Sequence, residues 1–159
     1  MTTSPADDLT AAEAIRLLAE PGHLIRRAHQ IAVSIFHDTH GRQVTPVQYA
    51  ILRALQEEPG IDQVTLAQRV ALDTSTTADI AARLESKGWI VRELMARRQR
   101  RLLLTPGGAA VLADMLPRVN PMYRQLLSPL EPAEQAEFLR LLRKFDHLND
   151  PTNGPKTSG

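Results

Sequence analysis

The chain has no cysteine among its 159 residues, which excludes disulfides, zinc sites built on thiolates and any sensor that works by thiol oxidation. It also lacks a long apolar run: nothing approaches the ~18 consecutive apolar residues that a membrane-crossing helix needs, so no membrane partner is expected. Its beginning, MTTSPADD, has neither the basic nor the apolar stretch of a secretory signal, and a soluble cytoplasmic protein is the expectation. Missing too are a Gly-x-Ser-x-Gly elbow, a phosphate-binding glycine loop, a His-Glu-x-x-His pair and a setting for paired carboxylates, so nothing points to an enzyme or to a bound cofactor. There is no internal repeat, and composition shifts only at the ends, where residues 1–10 and 150–159 read as frayed tails. What is present is 43% hydrophobic and 23% charged, enough for one full core.

Between Gln63 and Thr105 the pattern runs short helix, turn, helix, strand, arginine-rich tip, strand, which is the layout of a winged helix-turn-helix. Val64, Leu66, Ala67 and Val70 lie close to one face of the short helix, and Asp73 with Ser75 offers side-chain oxygens to the free N–H groups of a new helix start. The second helix is expected from Ser75 to Ser86, with Ile80 and Leu84 inward and Gly88 just past its end. Its first turn presents Thr74, Ser75, Thr76 and Thr77. Recognition helices set such N-terminal residues against base edges in the major groove, where short hydroxyl side chains permit close approach. These four are therefore candidate DNA contacts, with Arg83 further along the same helix. Helix capping alone accounts for one or two of the hydroxyls.

Trp89 to Arg92 and Arg101 to Thr105 are rich in strand-forming types and make a hairpin with its tip at Met95 to Arg100. Arg92 to Arg101 holds five arginines against Glu93 alone, a net of +4 in a chain whose total is +1. A one-sided patch on an otherwise acidic chain suits a local phosphate or minor-groove contact, and Arg97, Arg98 and Arg100 are its candidate residues. The alternatives are a solvated turn or, at the level of function, a winged-helix adaptor whose hairpin docks an acidic protein.

Around this unit the periodicity expects helices from Pro21 to His40, stopped by Gly41; from Thr45-Pro46 to just before Pro59-Gly60; and from Pro132 to Leu148, with Phe138, Leu141, Leu142, Phe145 and Leu148 on one face. A shorter helix is expected around Ala11 to Ala19. After Thr105-Pro106 an apolar series runs from Leu112 to Leu127, and Pro117 and Pro121 are expected to kink or break it. The terminal helices carry more apolar surface than the small winged domain can cover, and pairing with a second copy is the simplest remedy; an intramolecular helical layer in a monomer is the other. A twofold dimer sets two recognition helices roughly 34–36 Å apart, which matches an inverted-repeat operator. The expected fold is mainly α with a small β-hairpin: residues 1–40 as tail and dimerisation helix, 41–105 as winged helix-turn-helix, 106–149 as C-terminal dimerisation helices, and 150–159 as a disordered tail.

The stretches TPVQYAILRAL, VTLAQRVALDTSTTADIAARLESKGWIVRE and RRQRRLLLTPGG resemble the MarR family of bacterial transcription regulators, over nearly the whole chain. The resemblance implies a homodimer made by the terminal helices, two winged domains on palindromic DNA, and repression relieved by a small aromatic acid bound between dimer helices and winged domain. The branch most similar controls breakdown of aromatic or heteroaromatic acids, with nicotinate-type compounds among them. Ser75, Thr76 and Thr77 fall at the start of the family's recognition helix, and Arg97 and Arg98 on the paired basic positions of its wing. Two departures stand out: Ala96 replaces the acidic residue that precedes those arginines in a wing about two residues short, and Asp79 stands where many members are basic.

For an effector, His29 sits near Ile25, Ala32 and Phe36 on the edge of the first helix's apolar face, a polar head beside apolar walls. Tyr49, on the helix the family uses as a pocket wall, supplies a ring and a hydroxyl, and Arg27 supplies a positive charge. Each also reads as an ordinary core-edge residue. His37, Asp38 and His40 leave a metal shell incomplete, and no metal is expected.

Overall fold

The computed structural model describes residues 16–146. Six α-helices and one hairpin follow in order: α1 Pro21–His40, α2 Pro46–Glu57, α3 Gln63–Arg69, α4 Thr74–Ser86, β1 Ile90–Leu94, β2 Arg100–Leu104, α5 Pro106–Leu127 and α6 Pro132–Phe145. Of the helix expected around Ala11 to Ala19, a 3₁₀ turn at Leu17–Ala19 is described; its earlier residues, both tails and Leu148 lie outside the described residues. The first compact unit ends at Met122 and the second begins at Tyr123.

Local chemistry accounts for the boundaries. Pro21 and Pro46 occupy first helical positions, where the missing N–H costs nothing. Gly41 ends α1 at φ 74°, a conformation that a β-carbon disfavours. Thr45 and Gln48 cap each other across the first turn of α2, each backbone N–H donating to the other's side-chain oxygen at 3.1 Å. In the second unit the Glu131 N–H donates to Glu134 at 2.8 Å, and the Gln135 amide satisfies the carbonyls of Leu127 and Leu130.

The hairpin is antiparallel, in register from Ile90 opposite Leu104 to Leu94 opposite Arg100. Leu102 spends its outward groups on the preceding loop, accepting from Gly60 N–H and donating to the Ile61 carbonyl, both at 3.0 Å. The sheet thus rests against the helix-turn-helix. Ile90 and Leu102 point inward and join Ile51, Leu52, Leu55, Leu66, Leu84 and Leu112 in one fully buried cluster, each contributing about 1.5–3 kcal/mol of burial. A second cluster of Phe36, Val44, Met115 and Met122 lies alongside, with Tyr49 and Trp89 packed against both.

Of the kink or break expected at Pro117 and Pro121, the break does not occur: α5 is one helix from Pro106 to Leu127. Spaced four apart, the prolines share the exposed face. The carbonyls they orphan, those of Ala113 and Pro117, therefore sit where water can satisfy them, while Met115, Val119 and Met122 keep the opposite face buried.

The start of α5 is pinned to the start of the hairpin. Thr105 N–H donates to the Trp89 carbonyl at 3.0 Å, and its hydroxyl donates to the Gly88 carbonyl while accepting from Gly108 N–H at 3.1 Å. A β-carbon at position 108 would stand 2.0 Å from the Trp89 oxygen, and one at 107 would stand 3.2 Å from the Gly88 oxygen. Gly108→Ala is accordingly expected to cost about 2 kcal/mol of stability through forced backbone displacement, and Gly107→Ala clearly less. Urea unfolding of the two variants checks this; equal midpoints would contradict so close an approach.

Candidate nucleic-acid interface

Asp73 opens α4. One carboxylate oxygen accepts the Thr76 N–H and the other the Thr76 hydroxyl, both at 2.7 Å, and these bonds hold the Asp73 carboxyl below its usual pKa. Asp62 does the same for α3, where the Thr65 hydroxyl and N–H keep its carboxyl ionised. The four hydroxyls expected at the base edges therefore divide. Thr74 and Ser75 are exposed and, among the described residues, neither hydroxyl makes a hydrogen bond. Thr76 is half-buried with its hydroxyl proton committed to Asp73. Thr77 is fully buried and donates to the Asp73 carbonyl at 2.9 Å, so its side chain belongs to the core and is withdrawn from the candidate contacts. The apolar spacing behind it could have signalled this, since Thr77, Ala81 and Leu84 form one inward stripe. Ser75, Asp79 and Arg83 recur every four residues and are all exposed. Arg83 has no ion pair among the described residues.

The hairpin's arginines sort in the same way. Arg92 pairs with Glu85 of α4 at 3.2 Å, and Arg101 pairs with its cross-strand neighbour Glu93 at 2.6 Å. Arg97, Arg98 and Arg100 are exposed and have no ion-pair partner among the described residues. At the tip, Met95 N–H donates to the Gln99 carbonyl at 2.7 Å. Arg97 and Arg98 both turn through the left-handed region, at φ 66° and 59°. Tight hairpins place Asn-Gly at two such positions, so arginine there carries local strain. An open hollow of about 450 Å³ separates this tip from the start of α3, lined by Asp62, Gln63, Val64, Arg98, Gln99 and Arg100.

The residues expected to hold an effector are not brought together. Arg27 and His29 are exposed on α1. His29 lines a shallow groove with Val33, His37 and Arg42, to which neither Arg27 nor Tyr49 contributes. Tyr49 packs on Phe36 at 5.7 Å and stacks on His40 at 6.3 Å between ring centroids. His37 Nδ1 lies 3.0 Å from the Gly41 carbonyl, a helix-end role. Another hollow, about 320 Å³, is lined by His40, Val44, Trp89, Val111, Met115 and Arg118 among others. Arg118 is held there by the Thr39 carbonyl and by Asp114, each at 2.9 Å. Both ring nitrogens of His40 are shut off from solvent and have no hydrogen-bond partner among the described residues. Burial, and then the charge of Arg118, lower its pKa and keep the imidazole neutral. Sequence spacing gave no sign of this site, because Arg118 lies far along the chain from His40.

A model described as the MarR family matches residues 44–94. The chain is 37% identical over 104 residues to the transcriptional regulator HosA of Escherichia coli, spanning 64% of this chain and 77% of that one. In structure it is similar to the PcaV transcriptional regulator of Streptomyces coelicolor in complex with its natural ligand, with a TM-score of 0.78, 36% identity, and coverage of 83% of this chain and 95% of that one. It is likewise similar to BpsR of Bordetella bronchiseptica, whose DNA binding is described as regulated by 6-hydroxynicotinic acid, with a TM-score of 0.75, 30% identity, and coverage of 80% and 94%.

The two capping carboxylates set an acid limit on the fold. With folded pKa values held below the unfolded ones, they stabilise the native state fully above the ordinary carboxylate range, and that contribution is lost as pH falls through the folded values. Stability is expected to drop between about pH 5 and pH 2. The Asp62→Asn, Asp73→Asn double variant, which keeps both caps without a titrating group, should show a flatter decline in urea midpoint. A decline as steep as wild type would mean that other groups dominate.

Proposed function

Because the chain belongs to the MarR family of DNA-binding transcriptional regulators, we propose that it acts as a homodimeric repressor of an inverted-repeat operator and is released by a small aromatic carboxylate. The observation that carries this reading is the joint presentation of unbonded hydroxyls and unpaired arginines by one compact unit. Thr74 and Ser75 stand exposed at the capped start of α4, and Arg97, Arg98 and Arg100 stand exposed on the wing. The helix meets base edges in the major groove, with Thr76 and Arg83 beside it, and the wing takes phosphates or the adjacent minor groove.

The dimer is assigned to α1 with the C-terminal helices. Ile25 and Ile31 of α1 are each 50% exposed, and α6 leaves Phe138, Leu141, Leu142 and Phe145 exposed. Large apolar residues left exposed on each of these helices favour a second copy over solvent. We place the effector in the hollow at Trp89. Arg118 supplies the counter-charge for a carboxylate, and Val111 and Met115 supply apolar walls, with His40 at the border of the hollow. Tyr49, stacked behind His40, braces that ring. Arg27 and His29 remain surface residues in this assignment. Trp89 joins α4 to β1, so an occupied hollow bears on the junction that aims both DNA-contacting elements.

Arg97→Ala and Arg98→Ala are each expected to weaken binding to the DNA flanking the protein's own coding region, and to lower the slope of log affinity against log salt by about one. Unchanged affinity and slope in both variants would contradict the wing assignment. Trp89 is the chain's single tryptophan, so titration with aromatic carboxylates such as 6-hydroxynicotinate or 4-hydroxybenzoate should change its fluorescence and raise the melting temperature. Arg118→Ala should abolish both responses. Responses that persist in Arg118→Ala would move the effector elsewhere.

A further inference from the structure

The hairpin follows α4 after only Lys87, Gly88 and Trp89, and among the described residues Glu85 makes the side-chain hydrogen bonds that join its outer strand to that helix. Glu85, in the last turn of α4, accepts the Arg92 N–H at 3.0 Å on one oxygen and the Arg92 guanidinium at 3.2 Å on the other. Arg92 stands opposite Leu102, whose own polar groups are turned to Gly60 and Ile61, so the Arg92 N–H looks away from the sheet and Glu85 meets it. The Arg92 side chain is 15% exposed, and its Nε has no hydrogen-bond partner among the described residues. A guanidinium this far withdrawn from water does not reach phosphate. One rung on, Glu93 holds Arg101 across the strands. One carboxylate thus ties the hairpin to the recognition helix and the other ties the strands together, leaving Arg97, Arg98 and Arg100 unpaired.

We propose that Glu85 is a positioning residue for DNA binding: by holding both the backbone and the side chain of Arg92, it sets the reach from the start of α4 to the wing arginines. This rests on the wing's role in DNA binding proposed above. The assignment runs against simple electrostatics, since a carboxylate near DNA repels phosphate and its removal should tighten binding. That opposition in sign makes the test.

Glu85→Ala and Glu85→Gln remove the same charge, but glutamine keeps an oxygen that can accept the Arg92 N–H. Operator affinity, measured where circular dichroism shows each variant folded, is expected to fall about tenfold in Glu85→Ala and to stay within about threefold of wild type in Glu85→Gln. In a double-variant cycle, Arg98→Ala should cost less in the Glu85→Ala background than in wild type, because a wing no longer aimed has less contact to lose. Equal tightening in both Glu85 variants, or strict additivity with Arg98→Ala, would overturn the positioning role while leaving the wing contact standing. If Arg98→Ala is silent in the wild-type background, the wing contact itself falls, and the inference with it. Should Glu85→Ala not fold, the same cycle is run with Arg92→Leu, which releases the clamp from the strand side; non-additivity supports the role and additivity overturns it.

Discussion

The Trp89 carbonyl accepts the amide of Thr105, and Gly108 packs so close to it that no side chain fits between. This contact holds three things at one point: the exit from the recognition helix, the closing end of the hairpin, and the first turn of α5. The backbone approach is what permits Ile90 and Leu102 to reach the same buried cluster as Leu84 and Leu112. Widen it, and the hairpin loses its fixed bearing on α4. Trp89 also borders the hollow proposed above for an effector, so the contact that joins α4, the hairpin and α5 is also the one that an effector there would press on.

Charge is distributed with the same economy. A chain near neutrality offers DNA little overall attraction, so the proposed contact falls to a local patch. Within that patch, two arginines are spent on structure and three are left exposed. The carboxylates that pair with the structural two lower the patch's net charge but give it a shape. Asp73 plays a comparable part at the recognition helix: it engages Thr76 directly and takes the Thr77 hydroxyl on its carbonyl, and so decides which hydroxyls of the first turn remain for a partner.

Much of the fold was legible because its signals are local. Pro21 and Gly41 bound α1 as read, Thr45-Pro46 starts α2, and the strand-forming runs on either side of the arginine tip pair as a hairpin. The structure adds to that reading where a residue's fate depends on what lies across from it. Thr77 looks like its hydroxyl neighbours, but its side chain falls on the buried face. Pro117 and Pro121 look like breakers, but their shared exposure leaves the orphaned carbonyls to water. Arg27, His29 and Tyr49, which flank apolar positions, do not line one hollow, whereas His40 and Arg118, distant in sequence, do.

The amino-acid sequence by itself determined the elements, their order and the class of partner, since capping, periodicity and a cluster of like charge are properties of neighbours along the chain. Which arginine is spent on Glu85 or Glu93, which threonine faces the core, and which histidine lies beside which arginine were decided only by tertiary structure. The physical reason is that ion pairs, burial and cavities are set by distances in space between segments that sequence separation does not encode.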